Sequence, residues 1–179
     1  MKRTTLTLAI SFCAIATLAG GTAAAQDKTA AASSALDKFV GSGSCTGKSL
    51  DSNMKAFHAI TGKFSGEKVL DGNWVVIHYD EDQSAAAPKP YHVIQYIGYD
   101  AAKKRYVATM VDNSGSGHFS GTSPGFKGDS ITFDESTDGK PASFRDTFTT
   151  SQGLSSHVGT MRDKTGKWVK TDEETCKSS

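Results

Sequence analysis

Cysteine is scarce in this chain of 179 residues: there are three, and none belongs to a Cys-x-x-Cys element. That spacing excludes a zinc ribbon and a thioredoxin-like redox centre. Histidine is equally thin. His58, His78, His92, His118 and His157 include no pair at the close helical spacing of a zinc site, and nothing in their surroundings selects one as a haem ligand. No metal or cofactor is assigned. Charge of one sign is also missing, since 20 basic residues face 19 acidic ones. Such a balance provides no electrostatic footprint for nucleic acid or anionic lipid.

Catalytic signatures are absent as well. GSGSC at 41–45 and NSGSGH at 113–118 imitate a nucleophile elbow without its strand-turn-helix context, and no lysine follows at the position a phosphate-binding loop requires. The acidic groupings at Asp80 to Asp82 and Asp134-Glu135 stand at strand ends beside turn residues, where solvated carboxylates are the ordinary finding. No catalytic residue is assigned on these grounds.

What the chain does have begins at its N-terminus. Lys2 and Arg3 precede an apolar run from Leu6 to about Leu18 and then small residues ending in Ala23, Ala24 and Ala25. This is the pattern of a secretory signal peptide over residues 1–25, too short to span a bilayer. Cys13 lies inside the apolar run behind Phe12, which removes the small-residue context of a lipid anchor. No later segment approaches the roughly 20 apolar residues of a membrane helix, so the expected location is periplasmic or secreted. Cleavage after Ala25 removes two basic and no acidic residues, leaving a formal charge of −1.

Residues 26–34 read as a poorly ordered leader and 35–179 as one domain. SSALDKFVG, starting at Ser33, places Leu36, Phe39 and Val40 at helical spacing behind a serine cap. Thereafter apolar residues recur with period two. Strands are expected near 43–50, 56–64, 73–79, 92–99, 105–111, 117–121, 130–134, 143–149, 156–162 and 168–175. Turn signals such as Asp71-Gly72, Pro124-Gly125, Asp138-Gly139 and Lys164 to Gly166 separate them. Ten short strands without a crossover helix predict an all-β antiparallel meander, closed into a barrel so that no edge is left. Cys45 and Cys176, one near each end of the domain, are expected to pair across the seam; the alternative is two buried thiols.

The segment from Tyr91 to Asp112 fixes faces. With Ala101 to Lys104 as the loop, Tyr99 faces Tyr106, Ile97 faces Ala108, Gln95 faces Met110 and Val93 faces Asp112. One face then carries Tyr91, Val93, Gln95, Ile97, Tyr99, Tyr106, Ala108, Met110 and Asp112, and it is assigned to the interior as the richer in aromatic and flexible apolar groups. Gln95 and Asp112 are its strongly polar members. The same face suits either a packed core with a polar network or a pocket in which apolar walls supply affinity and a few polar atoms fix orientation.

FVGSGSCTGKS, VLDGNWVVIHY, YIGYDAAKKRYVATMVDNSG, FRDTFTTSQ and MRDKTGKWVKTDEE together resemble the bacterial family filed as domain of unknown function 1579, over about Phe39 to Glu174. Its members resemble calycins, so the resemblance implies a lipocalin-like antiparallel barrel with a short N-terminal helix. It implies no reaction and transfers no catalytic residue.

The leading expectation is non-catalytic binding of a small, largely apolar ligand in the barrel interior. The contacts expected are Tyr91, Gln95, Tyr99, Tyr106, Met110 and Asp112, with Trp74 as a further member. Two other readings stand beside it. One is an enzyme acting on a small molecule or envelope component, with Asp112 and either His92 or His78 paired at the barrel mouth. The other is an envelope interaction protein without a ligand. Oligomeric state is not assigned.

Overall fold

The structure is a computed structural model that describes residues 29–51, 54–85, 88–115, 118–137, 141–151 and 154–179. The expected signal peptide and the Asp138-Gly139 turn lie outside the described residues. Ten strands form one closed antiparallel barrel: β1 (Gly41–Leu50), β2 (Phe57–Val69), β3 (Trp74–Glu81), β4 (His92–Asp100), β5 (Arg105–Asp112), β6 (His118–Ser123), β7 (Ser130–Ser136), β8 (Phe144–Thr150), β9 (Leu154–Arg162) and β10 (Trp168–Ser178). Each strand pairs with its neighbours in sequence, and β1 closes the circle on β10. All ten expected strands are present, most of them extended by one to five residues where turn residues still complete ladder hydrogen bonds.

The β4–β5 hairpin has the expected register, Asp100 to Arg105 through Val93 to Asp112. Gln95, Ile97, Tyr106 and Ala108 are buried, whereas His92, Tyr96, Thr109 and Val111 on the opposite face are exposed. Lys104, in the left-handed region at φ 52°, completes the turn.

One end of the barrel is plugged. Residues 29–35 are helical and run into a 3-10 turn, Leu36–Phe39. The sequence predicts a poorly ordered leader over most of this stretch and a helix that begins at a serine cap near Ser33. The helix starts earlier because Ala30, Ala31, Ala32 and Ala35 are strong helix formers and because Ala32, Ala35, Leu36 and Phe39 fall at i, i+3, i+4 and i+7, one face that can be buried. Leu36 and Phe39 are essentially inaccessible to solvent. The Phe39 ring meets Phe148 edge-on at 5.8 Å and Phe126 at 6.1 Å, and Tyr106 Oη donates to the Ala32 carbonyl at 3.2 Å. Burying a side chain of that size contributes about 1.5–3 kcal/mol. Lys68 secures the helix from outside, paired with Asp37 at 2.6 Å and donating to the Ser33 carbonyl at 3.1 Å. Val40, grouped with the helix by its apolar character, lies beyond it and is exposed.

The seam is covalent. Cys45 and Cys176 are directly opposed in the β1–β10 ladder and joined as a disulfide, with a sequence separation of 131 residues. A bridge closing a loop this long stabilises by about 3–5 kcal/mol, chiefly through the unfolded chain. The Cys45→Ala/Cys176→Ala protein should therefore stay folded, held by the remaining β1–β10 pairs, with a Tm lower by about 10 °C. Calorimetry of that variant, and of the native chain with and without a reductant, measures it; identical Tm values would mean that the bridge carries no stability.

Candidate functional site

The plug fills only half of the barrel. From Ile97, Val75, Ile131 and Phe133 toward the helix, inward side chains form one buried cluster with Leu36 and Phe39. On the other side the barrel encloses a cavity of about 440 Å³, lined by residues of all ten strands. Ile60, Ile77, Val93, Met110 and Phe119 form its apolar wall, and Phe119 and Phe144 pack edge-to-face at 5.0 Å.

The opposite wall is polar and comes from β7 to β10. His157 on β9 lies between two carboxylates, with Nε2 at 3.2 Å from Asp146 Oδ1 and Nδ1 at 3.1 Å from Asp172 Oδ2. Its ring stacks on Phe148 at 4.9 Å. Strand pairing places these groups: Asp146 and Asp172 both oppose Gly159 from either side, and Phe148 and Glu174 oppose His157. Gly159 is needed here, because a Cβ at that position would stand 2.2 Å from Asp172 Oδ1. Its amide donates to Asp172 Oδ2 at 3.2 Å, and Thr171 donates to Oδ1 at 2.8 Å. A bulge between Lys170 and Asp172 turns Asp172 inward.

Burial opposes a charge on His157, yet the hydrogen bonds and charges of Asp146 and Asp172 outweigh it and hold the imidazole well above its ordinary pKa. Burial likewise opposes ionisation of Asp172, and its hydrogen bond with His157 leads the contributions that bring its pKa below the usual value. With both ring nitrogens donating, His157 has no lone pair to offer a metal. The one convergent group of potential ligands among the described residues, Cys45, Glu174 and Cys176, has its sulfurs tied in the disulfide.

Glu135 on β7 completes this wall and is 1 % exposed. Its Oε1 accepts from Gln95 Nε2 across the barrel at 3.4 Å, whereas Oε2 has no hydrogen-bond partner. Burial, reinforced by the neighbouring Asp146 charge, pushes its pKa up to about 9. Glu174 is also raised, chiefly by burial. At the mouth Tyr91 Oη donates to Asp112 Oδ2 at 3.0 Å, while the Tyr91 amide donates to Glu81 Oε2 at 2.8 Å. Burial first, then Asp112, raises the Tyr91 phenol far above its usual value.

The cavity thus brings together Tyr91, Gln95, Met110 and Asp112 from the set expected by sequence. Tyr99 and Tyr106 stand at the plugged end, their rings 5.2 Å apart, and do not line it. Trp74 is on the outer face, its ring against Gly98. The pairing of Asp112 with His92 or His78 does not exist, because those histidines project outward; His92 instead meets Asp80 at 2.7 Å on the surface. Arg145 and Asp146 are successive residues on opposite faces of β8. Arg145 pairs with Asp134 at 2.7 Å and lies over Trp168 outside, while Asp146 points in.

Sequence reasoning does not single out His157, Asp146, Asp172 or Glu174, and Glu135, expected with Asp134 to be a solvated carboxylate at a strand end, is instead buried because it points inward from β7. A signal for them exists in FRDTFTT, where Phe144, Asp146 and Phe148 share one face by period two. An aspartate between two phenylalanines on an inward face requires a partner, and the next strand offers His157.

The family profile described as "Protein of unknown function (DUF1579)" matches residues 28–177. Among solved structures, the crystal structure of Rv2717c from M. tuberculosis is similar at a TM-score of 0.61 and 14 % identity, covering 83 % of this chain and 97 % of that one. The likeness is one of fold. No curated protein matches the chain.

The pKa directions fix how stability varies with pH. A carboxyl raised from 4.5 to about 9 contributes fully below 4.5 and loses that contribution as pH climbs toward 9. His157, also raised, acts in the same direction on the alkaline side. Asp172, lowered, contributes above its ordinary value and loses that contribution in acid. Glu135→Gln should match the native Tm near pH 4 and exceed it at pH 8.5 by about 10 °C or more, equivalent to roughly 5 kcal/mol. Thermal melts across that range decide it; a difference independent of pH would show that Glu135 ionises normally.

Proposed function

The chain belongs to the DUF1579 family of proteins of unknown function, and on that premise we propose that it is an exported barrel that holds a small molecule with a largely apolar body. The observation that carries this reading is the half-filled barrel: a cavity of about 440 Å³ remains above a packed core, in the range typical of ligand pockets. A fold with a plug helix and interior aromatics has the means to fill that space with side chains. Here Tyr91, Gln95, Met110 and Asp112 line it instead. Apolar walls opposite a few fixed polar groups give affinity from one side and orientation from the other.

Export is supported by the basic and apolar N-terminal pattern and by the disulfide, a bond that persists in oxidising compartments. No described helix is long and apolar enough to cross a membrane.

Native mass spectrometry of protein purified from the periplasm, combined with titration by the neutral fluorophore N-phenyl-1-naphthylamine, tests the proposal. Fluorophore binding should weaken by about tenfold or more in Val93→Trp, which fills the cavity, at an unchanged fold by circular dichroism. Absence of both a retained molecule and fluorophore binding overturns it.

A further inference from the structure

The cavity's charge inventory is lopsided. Among its lining residues are six carboxyl side chains, Glu81, Asp112, Glu135, Asp146, Asp172 and Glu174, and one imidazole, with no lysine or arginine. His157 is fully engaged between Asp146 and Asp172, and Asp112 is held by Tyr91. That leaves Glu135 Oε2, buried, facing the cavity and without a hydrogen-bond partner, whereas Tyr79 Oη is turned toward the Glu174 carboxyl. Buried polar atoms left open in an otherwise satisfied network are explained by something that completes them.

Resting on the reading of the cavity as a ligand site, we propose that its ligand is an organic ammonium ion: an aromatic or alkyl body against Phe119, Phe144 and Met110, and a protonated amine donating to Glu135 Oε2. Beyond His157, whose charge Asp146 and Asp172 already share, the site lacks a cation. A carboxylate oxygen accepts from N–H, and nearby aromatic rings add cation–π attraction. An anionic head would meet carboxylates with no lysine or arginine among the lining residues to offset them. A metal ion fits less well than an amine, because among the described residues no three carboxylate oxygens converge within 4.8 Å. The position is built for its carboxylate: a Cβ on Gly121 would lie 2.7 Å from Glu135 Cγ.

Groups facing Glu135 are Gln95 from β4, Asp146 from β8 and His157 from β9. In the empty cavity Glu135 holds its proton at neutral pH. An incoming ammonium ion replaces it, and the proton leaves to buffer, so binding releases close to one proton per ligand.

A matched series on one ring decides the matter: 1-naphthylmethylammonium, 1-naphthalenemethanol and 1-naphthoate, titrated calorimetrically into the full-length mature protein at pH 7.5 in two buffers of different ionisation enthalpy. Expected are an ammonium Kd about tenfold or more below that of the alcohol, weaker binding still of the carboxylate, and proton release with the ammonium alone. Glu135→Gln should abolish the proton release and the preference for the ammonium over the alcohol. Alcohol binding as tight as ammonium, in the native protein, overturns the charge inference and leaves the cavity reading intact. Failure of all three to bind overturns both. Should Glu135→Gln not fold, the native ranking still decides.

Discussion

Closure of the sheet between β1 and β10 is the constraint on which the rest of the molecule depends. Once the ladder from Gly43 to Ser49 pairs with β10, every strand has two neighbours and no edge remains open to another chain. Because side chains alternate with period two, closure assigns each residue to water or to the interior, and bulges provide the few exceptions. The disulfide opposes Cys45 and Cys176 in that ladder, so the register of the seam is fixed by a covalent bond. A slip of one residue there would turn Asp172 and Glu174 outward and empty the polar wall.

Sequence periodicity was a sound guide wherever strands run regularly. Residues 91–112 contain a four-residue turn and strict alternation, and their register and inward face are those of the structure. The cysteines were legible for a related reason: two residues at the ends of a meander can meet only if the meander closes. Aromatic character alone suggests an interior place for Trp74, but strand phase decides. Val75, Ile77 and Tyr79 fix the inward phase of β3, which puts Trp74 outside.

The polar wall was hidden for two physical reasons. Bulges at Thr149/Thr150 and Lys170/Asp172 shift phase within β8 to β10, so counting by twos forward from Trp168, which lies outside, puts the wrong acidic residues of TDEET inward, and only counting back from the buried Cys176 places Glu174 and Asp172 there. The helix also begins before Ser33, and only its placement shows which half of the barrel is filled and which is left open. Hydrophobic patterning describes the plugged half well because burial of apolar groups built it. The other half is governed by pairing of charges, which has no period.

Within that half the acidic groups divide into two kinds. Asp146, His157 and Asp172 form a closed set, in which two carboxylates satisfy one imidazolium and Gly159 leaves them the room to do so. Breaking a buried pair of this sort leaves an uncompensated charge, so the triad is suited to hold β8, β9 and β10 in register and unsuited to exchange protons with a visitor. Glu135 is the opposite case. It accepts a long hydrogen bond from Gln95 and stays neutral by burial beside Asp146, so it can ionise when a cation arrives and recover its proton when the cation leaves. The rigid triad supplies the negative surroundings that raise Glu135, and the responsive group sits where the cavity begins. A barrel filled to both ends would have room for neither behaviour.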